Sequence, residues 1–408
     1  MIYSIFSDDD QRSSASSGND SSSSASSGDD RSSSSDDYPK LPVILPDLPN
    51  DIVSDILKLL PVKSLLRFRS VCHSLRDTVD DPSFVALHLS HSAHWHLAFL
   101  SWGDTPGTSC FLFAGQSFSP SHATYLFRRT STALRFVDSR DGLICVTRVS
   151  RGESYGKSFE MWNLFTKRGK VIPRSGPERE FTSGGTCRIV VGFAFDASKK
   201  DYKIVRILHD PIDDNRCLGE IFSLYTESWT RLDCEVPSLI GSRPAVFLKG
   251  NLHWFVSKDD DLQMDRKNGS IIWFDVANEV FDEMPLSQEL KDRVSVDREV
   301  ILSVLNELLT VCTLRWEEPY GQPQPQSICS VWIMGEYGVP NSWTKKYTLR
   351  YGRQVSRLHG FTRNGELLMD LDKEERASWN PIVEYFEFVH LARISRNGRF
   401  RRLLSYSK

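Results

Sequence analysis

The chain has 408 residues, 40% hydrophobic and 25% charged, enough for two or three folded units. Fifty Lys and Arg against 53 Asp and Glu leave a formal charge of −3, which excludes a strongly basic nucleic-acid binder and gives no footprint for an anionic membrane. Its apolar runs are far shorter than the roughly 20 residues a membrane-spanning helix needs.

The first ten residues, MIYSIFSDDD, lack the basic and apolar regions of a secretory signal, so the sequons at Asn19 and Asn268 carry little weight. Eight scattered cysteines without a C-x-x-C pair read as reduced thiols of a nuclear or cytoplasmic protein. Residues 1–40 hold 16 Ser and 8 Asp against three basic residues, a charge of −5, and leave +2 on the remainder. Such a segment cannot bury enough apolar area to offset its ordering entropy and is expected to be a disordered tail. Ser7, Ser27, Ser33 and Ser34 each precede an acid by three residues, a pattern acidophilic kinases favour.

Residues 45–89 change character. Asp47 or Asn50 can cap a first helix, Pro49 suits its first turn, and Ile52, Val53, Ile56, Leu57 and Leu60 recur at helical spacing. Pro61 ends that helix; Val62, Leu65 and Leu66 start a second; Val71, Cys72, Leu75 and Val79 stripe a third. Of the 42 residues from Leu48 to Leu89, 20 are apolar. A unit of about 40 residues cannot bury that much alone, so part of it must meet a partner or the rest of the chain.

From residue 90 to 408, short strands and turns alternate. One unit is a tight turn followed by Leu and a strand, at 139–148, 248–257, 305–314 and 362–371; its Leu residues are 143, 252, 308 and 367. The other is strand, loop, strand with aromatics, at 161–173, 221–232, 271–285 and 331–349, and a further hairpin spans 190–208 with its turn between Asp196 and Asp201. Two hairpins per repeat give about four strands per 40–60 residues, hence a β-propeller of about six to seven blades. An open array of β-sandwiches is the other architecture compatible with periodic strands.

Little in the sequence announces catalysis. Gly156-Lys157-Ser158 ends like a phosphate loop, but Arg151 stands where the first Gly belongs. His88, His91, His94 and His96 lack flanking Cys or carboxylates, and Asp259-Asp260-Asp261 lacks the alternation of a calcium loop. No cofactor or metal is expected. Trp254, Trp273 and Trp332 read as blade core. Propeller ligands are bound by loops, and the longer ones are 174–187, 209–219, 257–270 and 316–327.

Two resemblances sharpen this reading. LPNDIVSDILKLLPVKSLLRFRSVCHSL, residues 48–75, resembles an F-box, departing from the family pattern at His73, where Lys is common, and at Leu75, where Trp is usual. DGLICV (141–146), WNLFTKRGKVIP (162–173), VGFAFDASKKDYKIVRI (191–207), GNLHW (250–254), WFDVANEVFDEMPL (273–286) and VWIMGEYGVPNSWTKKYTL (331–349) resemble the plant F-box-associated domain, a kelch-like propeller; 90–135 and the final strand match poorly. The resemblance implies a mainly β chain with a three-helix F-box ahead of the propeller. It also implies a non-catalytic substrate receptor of a Skp–cullin–F-box ubiquitin ligase. The F-box would dock on a Skp-family adaptor, and through it a cullin, by an apolar ridge of Leu48, Pro49, Ile52, Ile56, Leu57, Leu60, Pro61, Val62, Leu65 and Leu66. The propeller would hold an unidentified target protein. The alternative is a glycan-binding lectin or propeller enzyme whose helices are a structural brace.

Overall fold

In a computed structural model of the chain, residues 48–408 are described apart from 92–95, 104–107, 115–122, 131–132, 150–157, 164–165, 176–187, 210–216, 238–242, 259–267, 319–324, 363–364, 372–375, 389–397 and 406–408. The Ser/Asp-rich segment 1–40 and its candidate kinase sites lie outside the described residues. The chain divides into two compact units, Met1–Ser92 and Ala93–Lys408.

Among its described residues the first unit has four short helices where three were expected: α1 (Asn50–Leu57), α2 (Val62–Arg69), α3 (His73–Asp80) and α4 (Pro82–His91). Two prolines set the first two starts. Pro49 and Pro61 sit at the N-cap positions with ψ near 140°, so Asn50 is the first helical residue of α1 and not its cap, and Pro49 precedes the first turn; Asp47 lies outside the described residues. The fourth helix exists because Asp81 caps it: its Oδ1 accepts the backbone N–H of Ser83 (2.7 Å) and Phe84 (3.2 Å), and Pro82 in the first turn has no N–H to leave unsatisfied. Arg69 of α2 grips Asp80 of α3 bidentately, Nε to Oδ1 at 2.7 Å and Nη2 to Oδ2 at 2.8 Å.

The second unit is mainly β, and its described residues form six four-stranded antiparallel sheets. Five are consecutive in sequence. They are β4–β7 (Ala133–Arg140, Leu143–Val149, Ser158–Asn163, Arg168–Val171) and β8–β11 (Arg188–Asp196, Asp201–His209, Cys217–Ser223, Ser228–Arg231). Then come β12–β15 (Val246–Leu248, Asn251–Lys258, Asn268–Asp275, Val280–Met284), β16–β19 (Glu299–Leu305, Leu308–Glu317, Gln326–Met334, Trp343–Tyr351) and β20–β23 (Val355–Phe361, Leu367–Leu371, Arg376–Asn380, Tyr385–Phe388). The sixth takes β1 (His96–Gly103), β2 (Thr108–Ala114) and β3 (Ala123–Thr130) from the start of the unit, and β24 (Gly398–Ser405) from its end pairs antiparallel with β1. The expected six to seven blades thus become five consecutive blades with described interiors, plus one sheet built from both ends and described by its backbone. First strands of successive sheets touch from β4 through β20, and β24 and β1 bridge back to β4.

Residue alternation buries both faces of a sheet. Leu252, Trp254, Val256 and Phe274 of the β12–β15 sheet pack on Val190, Val205 and Ile221 of the β8–β11 sheet. Ile271 and Met284 face the other way, onto Leu309, Val311 and Trp332, with Leu290 and Val294 of helix α5 (Gln288–Val296) between them. Cys312, Leu314, Cys329 and Val331 then face the β20–β23 sheet. Trp254 and Trp332 are core, as their strand spacing predicts, whereas Trp273 is only half-buried and packs against the edge of a core cluster.

Turn chemistry explains the sequence units. Asp141-Gly142, Lys249-Gly250 and Asn306-Glu307 all have positive φ, the backbone of a two-residue hairpin turn, and join the first two strands of their sheets. The first two Leu units are 109 residues apart because the intervening sheet closes its first hairpin with a longer turn, Ala197–Lys200. That turn belongs to a second recurring design, in which an Asn, Asp or Ser caps the turn and a non-Gly residue four positions on takes positive φ. The pairs are Asn163/Lys167, Asp196/Lys200, Ser223/Glu227, Asp275/Glu279 and Asn380/Glu384. The pair at Asn380 forms the β22–β23 hairpin, which the sequence reading passes over.

Charges buried between strands are paired. Arg206 and Glu220 sit directly opposite on β9 and β10, Nε to Oε2 at 3.1 Å, with Arg206 over the Trp229 ring at 4.6 Å and Ser175 donating to Glu220. Lys203 reaches Asp196 at 2.8 Å and, in the next sheet, Glu279 Oε1 and the Val276 carbonyl, both at 3.1 Å. His253 is fully buried: Nδ1–H donates to Val246 O (3.1 Å) and Nε2 accepts from the Tyr337 hydroxyl (2.7 Å).

Two consequences are measurable. Glu307 holds a left-handed backbone where equivalent turns use Gly, so Glu307→Gly should raise the urea midpoint, by about 0.5–1 kcal/mol of stability, and Glu307→Val should lower it. The second concerns acid. Burial depresses His253 to about 4, so the unfolded chain takes up this proton first as pH falls from about 6.5, and the stability contributed by the neutral ring is lost between there and 4. Asp138 acts oppositely: burial, only partly offset by Arg140, raises it to about 6, so the folded state gains as pH falls from 6 towards 3.8. Urea unfolding at pH 7 and 4.5 separates them. His253→Gln should gain about 2–3 kcal/mol relative to the parent on going to pH 4.5, and Asp138→Asn should lose a comparable amount relative to it.

Candidate functional site

The apolar residues of the helical unit divide by exposure. Leu57 (4% exposed), Val62 (7%) and Leu65 (0%) are buried, as are Val79, Phe84 and Val85. Leu48 (51%), Ile52 (46%), Ile56 (48%) and Leu59 (67%) lie open, and Pro49 and Pro61 are also exposed. Leu60 and Leu66 are half-buried. The ridge expected as one docking surface is therefore two sets. Leu57, Val62 and Leu65 are unavailable to a partner without unfolding, because α1 turns Leu57 inward and Ile52/Ile56, one turn apart, outward. Sequence spacing alone does not separate them, since Ile52, Val53, Ile56 and Leu57 form two adjacent apolar stripes.

The sequence reading left out Leu59, Phe68 (41%), Val71 (69%) and Leu87 (40%), which are exposed too. Seven of the 15 exposed large apolar residues described in the whole chain fall within residues 48–87. His88 holds this arrangement: fully buried, it donates Nε2–H to the Leu60 carbonyl at 2.9 Å and ties α4 to the end of α1. That contact gives His88 a structural task, and His94 lies outside the described residues.

In the five consecutive sheets, antiparallel pairing puts the connections between first and second and between third and fourth strands at one end and the other connections at the opposite end. Turn-to-turn contacts between sheets follow: the Tyr202 hydroxyl donates to Asp141 at 3.1 Å, and Asn251 Nδ2 donates to the Tyr337 hydroxyl at 3.0 Å. All four candidate loops lie at the other end, and the central parts of each (176–187, 210–216, 259–267 and 319–324) fall outside the described residues, as do Gly156-Lys157 and Asp259–Asp261.

Groups that reach between first strands are committed to each other. Arg140 stacks on the Phe247 ring at 4.0 Å, two sheets away, with Asp138 beside it at 3.6 Å; Arg243 pairs with Glu299 and donates to Leu358 O at 3.0 Å. Burial pushes the Cys145, Cys312 and Cys329 thiols up, which suppresses their nucleophilic thiolate. Among the described residues there is no cluster of His, Cys, Asp and Glu able to hold a metal ion, and no helix long and apolar enough to cross a membrane.

Comparison with known proteins agrees with the two units. The family model for the F-box associated beta propeller domain matches residues 127–406, and that for the F-box domain matches 45–87. F-box protein CPR1 of Arabidopsis thaliana is 27% identical over 349 residues, 80% of this chain and 78% of that protein. Putative F-box only protein 15 of the same plant is 28% identical over 239 residues, 57% of each. Among solved structures, oligogalacturonate lyase in complex with manganese matches 69% of this chain and 70% of that one at 11% identity and a TM-score of 0.37, a likeness too slight to bear on chemistry.

The division of apolar residues predicts a contrast. Leu65→Ala should destabilise the helical unit by about 2–5 kcal/mol, and Ile56→Ala by less than about 1 kcal/mol; amide hydrogen exchange across residues 50–91 of the full chain checks both.

Proposed function

The chain belongs to the F-box associated beta propeller family, with an F-box domain ahead of the propeller, and on that premise we propose that it is a substrate-recognition subunit of a Skp–cullin–F-box ubiquitin ligase. The helical unit docks on a Skp-family adaptor, which joins it to a cullin; the propeller holds a target protein. The chain itself performs no chemistry. It raises the effective concentration of the target near a charged conjugating enzyme, replacing a bimolecular encounter by a tethered one. Work of this kind places it in the nucleus, the cytoplasm or both.

The observation that carries the reading is the open aliphatic row Leu48, Ile52, Ile56 and Leu59 on a unit of about 40 residues. A small unit does not keep that much apolar surface in water without a partner to cover it. Burying a Leu or Ile is worth about 1.5–3 kcal/mol, so a few such anchors would dominate the binding energy.

The test uses exposed positions only. Ile52→Asp with Ile56→Asp should reduce capture of a purified Skp-family adaptor by at least about a hundredfold while far-UV circular dichroism is unchanged. Undiminished capture would remove the assignment. Leu57→Asp is unsuitable, because burying that carboxylate unfolds the unit and mimics loss of binding.

A further inference from the structure

In the five consecutive sheets, the turns between first and second and between third and fourth strands form one end of the propeller, described throughout except for 164–165 and 363–364. Two turn glutamates there are matched within the chain: Glu227 pairs with Lys170, and Glu279 with Lys203 at 3.1 Å and Lys199 at 3.5 Å. Six exposed charges at the turn tips have no oppositely charged partner among the described residues: Lys167, Lys200, Lys249, Glu307, Glu336 and Glu384. The signs are segregated. The three lysines stand on the β4–β7, β8–β11 and β12–β15 sheets, the three glutamates on the β16–β19 and β20–β23 sheets. First strands touch in that order, so this end of the propeller is basic along one arc and acidic along the next.

A surface whose charges serve only solubility intersperses the two signs. A face divided by sign is complementary to a copy of itself turned over. The most exposed apolar side chains at these tips are Tyr225 (76%) in the β10–β11 turn and Ile382 (62%) and Val383 (67%) in the β22–β23 turn. One two-fold axis, perpendicular to the propeller axis and passing between the β12–β15 and β16–β19 sheets, satisfies both patterns. It lays β12–β15 on β16–β19, so that Lys249 meets Glu307 and Glu336. It lays β8–β11 on β20–β23, so that Lys200 meets Glu384 and Tyr225 covers Ile382 and Val383. Lys167 falls against the sheet built from both ends. Moving the axis by half a sheet, onto β12–β15, still opposes the charges but sets Ile382 and Val383 over the turn at Lys167, and the apolar match is lost.

We propose that this end of the propeller is the interface of a two-fold homodimer, with a second copy of the chain as its partner. Every contact across such an isologous interface occurs twice, so each Lys–Glu pair and each Tyr225 contact counts double. The interface involves neither the aliphatic row of the helical unit nor the loops at the opposite end of the propeller, and so stands apart from the substrate-receptor reading.

Analytical ultracentrifugation of the full chain tests it, with circular dichroism confirming that each variant is folded. The parent should show a monomer–dimer equilibrium that weakens at least about tenfold between about 0.05 and about 0.5 M salt. Lys200→Glu with Lys249→Glu places acids on both sides of the axis; Glu307→Lys, Glu336→Lys and Glu384→Lys together place bases there. Each of these variants alone should be monomeric, and an equimolar mixture of the two should form a one-to-one heterodimer. Ile382→Ser with Val383→Ser should weaken the parent dimer by about tenfold or more, whereas Ile52→Asp with Ile56→Asp should leave it unchanged. A parent chain that stays monomeric up to about 100 μM at low salt overturns the proposal, as does a dimer indifferent to the charge reversals. So does a mixture that stays monomeric or that assembles beyond two copies. Loss of the dimer in the Ile52→Asp, Ile56→Asp variant also overturns it, by assigning self-association to the helical unit.

Discussion

The propeller rests on a burial constraint: its central sheets are apolar on both faces, so each is stable only with a neighbour on either side. The β16–β19 sheet shows this most clearly. Leu309, Val311 and Trp332 serve one interface, Cys312, Leu314 and Val331 the other, and the two sets alternate along the same strands. A linear stack of such sheets would leave apolar faces open at both ends. Pairing of β24 with β1 answers that need with backbone hydrogen bonds, since it makes one sheet from the two ends of the unit.

Turns and buried charges serve the same constraint. Close stacking demands short, sharp hairpins, and the chain accepts left-handed backbone at several non-Gly residues to obtain them. Where a polar side chain is caught between sheets, it is bonded to the neighbour: Lys203 to Glu279, and His253 to Tyr337. These contacts add little net stability, but they penalise any shift in register between sheets, because a displaced partner would leave a buried charge or ring nitrogen unsatisfied.

The helical unit obeys the opposite arithmetic. It has one small interior, closed by Leu57, Val62, Leu65, Val79 and Phe84, and more aliphatic residues than that interior can take. The surplus is ordered, with Ile52 and Ile56 on one side of α1 and His88 bonded at the helix's far end.

Much of the fold was legible in the residues. Hairpin positions followed from Asp141-Gly142, Lys249-Gly250 and the aromatic strand pairs, because turn chemistry and alternation are local properties. The fourth helix was missed although Asp81-Pro82 is a cap and a first-turn proline. The β22–β23 hairpin was missed although Asn380 repeats the capping position of Asn163 and Asp275. At Asp81-Pro82 the signal reads as a break before the apolar run Phe84 to Leu89 resumes; at Asn380 it was passed over. Which apolar residues of the helical unit lie open was not legible: Leu57 and Ile56 are adjacent and equally apolar, yet one is buried and the other exposed. The sequence by itself determined where strands and helices run and that the helical unit holds more apolar residues than it can bury. Only tertiary structure decided which of them are uncovered, and which strands of the first sheet meet across the length of the unit, because burial and edge pairing depend on neighbours distant in the chain.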